Sequence, residues 1–303
     1  MLAGCGGSQP PIGAPGAAPQ SRAVAAHADG GGSWMLPEAK RDDLLYVTNN
    51  YDVSIYSFPR GKLVGKLRHH FFRPVTECSD KVGHVFVTDG DNVFVYAHGG
   101  REPLRTLTDP GYLTVGCSSD PTTGNLAVTY ELGFSKAYIA VYKNAKGTPM
   151  LYQDVDLIFA YCGYDPHGNL YADGTYGSGE TFGFVELPKD SSKLESITLN
   201  ASFQSPGIVQ WDGKYITVGD NTAENIYRFA VSGSAGTLVG TTSLAGASTT
   251  DQWWIQGDKV IGANGTSPPA VHYWKYPAGG NPTKAITKGL LYPFGVTVSI
   301  APH

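Results

Sequence analysis

A short pattern of apolar residues running into a turn recurs along most of the chain. It reads LLYVTNN around Tyr46, HVFVTDG around Phe86, NLAVTY around Ala127, NLYADG around Tyr171, KYITVGD around Ile216 and KVIGANG around Ile261. Successive copies lie 40, 41, 44, 45 and 45 residues apart. A fixed period of that size marks a chain built from repeated units. Within each period, short runs of β-branched and aromatic residues are split by Gly, Asn, Asp and Pro, which predicts strands and turns rather than helices.

Four strands fit into each period. An inner strand reads RPVTECSD, YLTVGCSSD, LIFAYCGYD, SPGIVQWD or DQWWIQGD. The YVT-type run follows, then a third strand such as VSIYSF or NVFVYA, then a looser fourth such as KLVGKL or PLRTLT. Four-stranded antiparallel units at this spacing predict the blades of a β-propeller. The first copy, at Leu44, lacks its inner strand, whereas Pro293–Ser299 matches an inner strand and has no partner after it. The expectation is therefore an all-β, six-bladed propeller over residues 44–303. Three N-terminal strands and one C-terminal strand would close the ring and remove two exposed sheet edges.

Composition suits that fold. Only 16% of the 303 residues are charged, and Gly (39), Pro (20) and Tyr (18) are abundant, as turns and aromatic-packed sheets require. A net charge of −4 and a pI near 6.0 argue against nucleic acid as a partner. No apolar run approaches the ~18 residues of a spanning helix. The start is different in kind. Leu2-Ala3-Gly4-Cys5 resembles the lipobox of bacterial lipoproteins, which makes Cys5 the expected lipidation site. Residues 1–5 are then the remnant of a signal peptide whose basic and apolar regions lie upstream of Met1. Residues 6–43 read as a Gly/Ala/Pro/Ser tether and lead-in, with 34–43 the approach to the first blade. A lipid on Cys5 would be the sole membrane contact of a monomeric, extracytoplasmic domain of the bacterial cell envelope.

Three further cysteines, Cys78, Cys117 and Cys162, fall near the ends of inner strands. They read as small buried hydrophobes. A Cys117–Cys162 disulfide is the alternative in an oxidising compartment, opposed by the expectation that neighbouring blades diverge beyond the ~7 Å that a bridge tolerates. Without a C-x-x-C motif, zinc and redox readings fail. His69-His70 reads as solvated loop, with no third metal ligand nearby. Acids follow the YVT-type strands, among them Asp52, Asp89, Asp91, Glu131, Asp173, Glu180, Asp220 and Glu224. They read first as turn formers and second as a Ca²⁺ site at the axis. No catalytic signature and no cofactor motif is present.

Two loop sets share one face of a propeller. One set is rich in rings, and its candidate ligand-binding residues are Phe72, Tyr112, Phe159, Phe203, Trp253 and Tyr292. Such a mouth would suit a small molecule, a glycan or a protein, although blade packing also uses aromatics.

The stretches Asp165-Pro166-His167-Gly168-Asn169-Leu170-Tyr171 and Asp120-Pro121-Thr122-Thr123-Gly124-Asn125-Leu126 resemble NHL-type repeats of six-bladed propellers. The layout is also similar to that of bacterial propeller lipoproteins. The NHL resemblance spans residues 44–300 and departs from its consensus where a basic residue precedes the third strand, since Asp52 and Asp91 stand there. It implies a binding or scaffolding module for a ligand or envelope partner. Six-bladed relatives include lactonases and streptogramin-lyase-like enzymes, so a metal-dependent hydrolase or lyase is the alternative. A purely structural partner domain is a third reading.

Overall fold

The computed structural model describes residues 31–302 apart from 70, 109–112, 132–135, 155, 178–180 and 248–249. The expected lipidation site Cys5 and the candidate Tyr112 lie outside the described residues. The compact unit that carries the strands spans Ser33–His303.

Six sheets form the six blades of a ring. The first holds β1 (Trp34–Met35), β2 (Leu44–Thr48), β3 (Val53–Ser57) and β4 (Lys62–Leu67). The second holds β5 (Pro74–Ser79), β6 (Val85–Asp89), β7 (Asn92–Tyr96) and β8 (Pro103–Thr108). The third holds β9 (Leu113–Ser119), β10 (Leu126–Glu131), β11 (Ala137–Tyr142) and β12 (Met150–Tyr152). The fourth holds β13 (Leu157–Tyr164), β14 (Leu170–Tyr176), β15 (Thr181–Leu187) and β16 (Glu195–Ser196). The fifth holds β17 (Thr198–Leu199), β18 (Val209–Trp211), β19 (Ile216–Asp220), β20 (Asn225–Ser232) and β21 (Ala235–Ser243). The sixth holds β22 (Thr250–Gln256), β23 (Lys259–Asn264), β24 (Ala270–Lys275) and β25 (Gly279–Ile286). The last strand, β26 (Val296–Ser299), returns to blade 1 and pairs antiparallel with β2, Leu44 opposite Ser299 and Val47 opposite Val296.

Blades 1 and 5 are wider than the expected four strands. The approach segment contributes β1, which pairs with β4 through Trp34–Lys66 and Met35–Gly65. Met35 lies where a Cβ on Gly65 would stand 2.3 Å from its sulfur, so only Gly admits it. In blade 5, β17 runs parallel to the outer strand β21.

The core divides by seam. Six hydrophobic clusters each combine side chains of two neighbouring blades: Cys78, Phe86 and Val95 with Cys117, Val128 and Tyr138 between blades 2 and 3, for example. Others fill the 3–4, 1–2, 6–1, 5–6 and 4–5 wedges. Face-to-face sheets interdigitating this way need large side chains between small ones, which accounts for the buried Tyr, Phe and Trp.

The Asp of the repeat has a local cause. At the turn from the first to the second strand, Asp165 accepts the amides of His167 (2.8 Å) and Asn169 (2.9 Å). Asp120 receives the Thr122 amide at 2.7 Å, and Asp80 that of His84 at 2.8 Å. These are Asx turns, in which a short carboxylate satisfies the donors of the bend.

Close to the axis, each seam has its own link. Thr48 Oγ1 donates to Val75 O (3.2 Å), Thr129 Oγ1 to Ala160 O (2.6 Å), and Gly207 N to Asp173 Oδ2 (2.9 Å). Gln210 Nε2 donates to Ile255 O and its Oε1 accepts from Ile255 N, at 3.0 and 2.8 Å. Gln252 Oε1 accepts Val296 N at 3.2 Å. Between blades 2 and 3 the link is covalent: Cys78 and Cys117 form a disulfide with Cα atoms 5.8 Å apart, and Cys162 is a buried free thiol. Cys162 is the small buried hydrophobe expected, whereas Cys78 and Cys117 are not free; the pairing also differs from the Cys117–Cys162 alternative, and the assumed divergence fails for a physical reason. Blades splay toward the rim, but their innermost strands crowd the axis, so Cα atoms of adjacent inner strands come within bridging distance.

Candidate functional site

One face of the ring carries the loops leading into the inner strands together with those joining second to third strands. On this face, three loops around blade 1 are tied to one another. Leu291 N donates to Asn49 Oδ1 (2.9 Å), Asn50 N to Leu291 O (3.1 Å) and Phe294 N to Thr48 O (3.0 Å). The Arg73 guanidinium lies 5.3 Å from the centre of the Phe294 ring, which brings the 71–73 loop against the same group. Asp89, at the end of β6, accepts Phe72 N at 2.8 Å and the amide of Arg73. Burial pushes the Asp89 carboxyl up, and those two amides partly offset it.

These anchored loops turn large apolar groups outward. Tyr51 is 64% exposed, Phe72 80%, Leu291 53% and Tyr292 58%. Tyr292 does so from a backbone with φ of 51°, a left-handed conformation that costs a bulky residue energy and tends to mark functional positions. Four large hydrophobic groups on one rigid loop cluster, with Arg73 beside them, have the make-up of a contact surface.

The other ring candidates are placed differently. Phe159 lies inside β13 and is fully buried between blades 3 and 4. Trp253 lies inside β22, 3% exposed, packed between blades 5 and 6. Phe203 is half-buried and stacks on Phe182 with centroids 3.9 Å apart. Of the candidates, the structure therefore brings Phe72 and Tyr292 to one surface. Tyr51 and Leu291, both outside that set of candidates, join them. His69 packs its edge against Phe94 at 5.0 Å instead of lying in solvent.

The acids after the second strands brace loops. Asp173 is fully buried and accepts Tyr161 N and Gly207 N, both at 2.9 Å, while Asp220 accepts Gln204 N at 2.7 Å. Burial holds the Asp173 carboxyl well above the ordinary range despite these amides. Their oxygens face backbone donors rather than a common centre, and no group of three or more His, Cys, Asp or Glu that could hold a metal ion occurs among the described residues.

The axis is narrow. Gln252 crosses it, its amide nitrogen donating to Glu77 O (2.8 Å) and its oxygen accepting Glu77 N (3.2 Å). A cavity of about 40 Å³ lies beside it, lined by inner strands of blades 3 to 6. Near this crossing, the Glu77 side chain is fully buried with both carboxylate oxygens lacking a hydrogen-bond partner. Burial pushes this carboxyl well above its usual 4.5. The fold therefore favours the protonated acid. That stabilisation is complete below the unfolded value near 4.5 and is lost as pH rises through the folded value. In denaturant titrations between pH 5 and pH 9, Glu77→Gln is expected to gain stability relative to the parent as pH rises. Parallel pH profiles for the two proteins would refute the buried neutral acid.

No protein-family model matches the chain. No curated protein matches its sequence either. Among solved structures, a chain of a nidogen/laminin complex superposes with a TM-score of 0.70 at 13% identity, covering 86% of this chain and all of that one. A Bacteroides caccae protein of unknown function gives 0.63 at 12% identity, covering 85% of this chain and 99% of that one. Both share the propeller fold with this chain.

Proposed function

We propose that the chain is an exported, lipid-anchored binding module of the bacterial cell envelope, which engages a partner protein through Tyr51, Phe72, Leu291 and Tyr292. The observation that carries this reading is the exposure of four large apolar side chains on loops tied to one another by hydrogen bonds and, for the Phe72 loop, by the Arg73–Phe294 contact. A propeller of similar fold occurs in a nidogen/laminin complex, which fits a binding role. The Cys78–Cys117 disulfide supports export, since such bonds persist mainly in oxidising compartments. Leu2–Cys5 supports the anchor, with residues 6–33 as its tether, and the NHL likeness of the repeat is part of the same reading.

Two experiments test it. With the upstream codons restored, a radiolabelled lipid precursor should label the parent and not Cys5→Ala; equal labelling would remove the anchor. A photo-crosslinker at position 292 should give a discrete adduct with an envelope protein, and one at position 239, on the outer strand of blade 5, should not. Phe72→Ser with Tyr292→Ser should weaken that partner's binding at least tenfold. Stability should change by only about 0.5 kcal/mol, because both side chains are already in solvent. Unchanged binding would move the contact surface elsewhere.

A further inference from the structure

The outer edges of the six blades are unequal. On blade 1 the edge is covered by β1, which buries Trp34 to 4% exposure. On blade 5 it is covered by β17, with Ile197 beside it at 6%. The outer strand of blade 2 opens on Pro103 and carries Arg105; that of blade 6 contains Gly279, Gly280, Pro282 and Lys284. Blade 4 has only the two residues Glu195–Ser196 there. Proline, glycine, charge and shortness are the usual protections of a free sheet edge. Blade 3 has only shortness in its favour: its outer strand Met150–Tyr152 has three residues, none of them charged, Pro or Gly, with Met150 60% and Leu151 50% exposed.

Beside that edge lies a pocket of about 340 Å³ between blades 3 and 4. Val141, Met150, Tyr152, Leu170 and Leu187 make its apolar lining, and Lys189 stands at its polar rim with Asp120 and Asp190. Past the other end of the strand the groove continues along Asp154, Asp156 and Lys193. Among the described residues, none of Lys189, Asp154 and Asp156 is in an ion pair. The rim of the groove thus carries Asp120, Asp190, Asp154 and Asp156 against Lys189 and Lys193, a net acidic border along an unpaired strand edge over a partly apolar hole.

We propose that blade 3 is a second binding site, which takes an extended segment of a partner protein as an added strand on Met150–Tyr152. The chain's own β1 shows the mode. There a two-residue strand pairs with an outer edge through its backbone and buries one large side chain. The segment on blade 3 would likewise pair by main-chain hydrogen bonds, which supply affinity. Its large apolar side chain would enter the pocket, and a Lys or Arg would face Asp154 and Asp156, which supplies specificity. This site lies on a different blade from the loop cluster and does not depend on it.

The test uses the full chain and a display library of linear decapeptides. Selected peptides should carry a large apolar residue with a basic residue to one side. Their binding should fall at least tenfold with Met150→Lys plus Leu151→Lys, which charges the edge, and with Ser192→Trp, which fills the pocket mouth. All three positions are exposed, so folding is preserved and is checked by an unchanged melting temperature. Bound peptide should also slow amide exchange in residues 150–152. The proposal is overturned if the library yields no binder, if binders tolerate both variants within twofold, or if binding responds only to Phe72→Ser with Tyr292→Ser. The last result would leave the loop cluster intact as a site, and loss at blade 3 alone would leave that cluster untouched.

Discussion

Ending the chain at Tyr292 is expected to abolish cooperative unfolding and leave an aggregating protein. The eleven residues removed carry β26, whose Val296 and Val298 are buried at 0% and 1% exposure against blades 1 and 6. Burying each such side chain contributes about 1.5–3 kcal/mol. Their loss also strips Ser79 Oγ of its acceptor Val298 O (2.8 Å), Gly83 O of its donor Ser299 Oγ (2.7 Å) and Gln252 of Val296 N. The amide of Ala301 no longer reaches Asp43 Oδ1 at 2.9 Å. Together these approach the ~5–15 kcal/mol that holds a typical domain together. In addition β2 becomes a free, wholly buried-type edge of the kind that pairs with other chains. Thermal circular dichroism and size-exclusion chromatography read the outcome. Adding a synthetic peptide of residues 293–303 should restore a melting transition. A truncated protein that melts within a few degrees of the parent would contradict the closure.

Replacing Cys78 and Cys117 together by alanine is expected to lower stability by about 3–4 kcal/mol under oxidising conditions, the range for a loop of this length. The bond spans 39 residues and joins two blades that otherwise meet through side-chain packing in the 2–3 wedge and through hydrogen bonds such as Thr114 N to Gly90 O (3.1 Å) and Arg105 Nε to Ala145 O (2.9 Å). The parent with reductant should approach the double variant, whereas Cys162→Ala should keep the disulfide. Burial pushes the Cys162 thiol far up, so it stays protonated and does not compete in exchange. Thiol counting under denaturing conditions, on residues 6–303, should give one free cysteine; three would refute the pairing.

The repeat made the ring legible because alternation and turn chemistry act locally. Asp165 and Asn169 build the same bend wherever they occur, and the unmatched strand at each end left one way to close. What stayed hidden depends on neighbours far apart in sequence. Cys78, Cys117 and Cys162 occupy equivalent slots on consecutive inner strands, so spacing alone favours neither pairing, and backbone separation decides. Likewise Trp34–Met35 has no periodicity to betray a two-residue strand; the signal was Gly65, a gap in an otherwise branched run. Among the rings, Phe72 and Tyr292 sit in loops before their strands begin. Phe159 and Trp253 sit after theirs have begun, and that shift of a few residues turns an outward group into filling. The acids at strand ends were expected to form their own turns; Asp220 does so through the Ala223 amide at 3.0 Å, and Asp89 and Asp220 also hold the loops entering their blades.

Gln252 gives the molecule a property that its outline hides. A doughnut-shaped protein invites the idea of a conduit, yet this side chain bolts three blades together across the bore and leaves beside it room for only a water or two. Among the described residues the cavity beside Gln252 is too small for a metabolite, so a ligand at an opening of the ring would be held at that opening rather than drawn in toward this side chain.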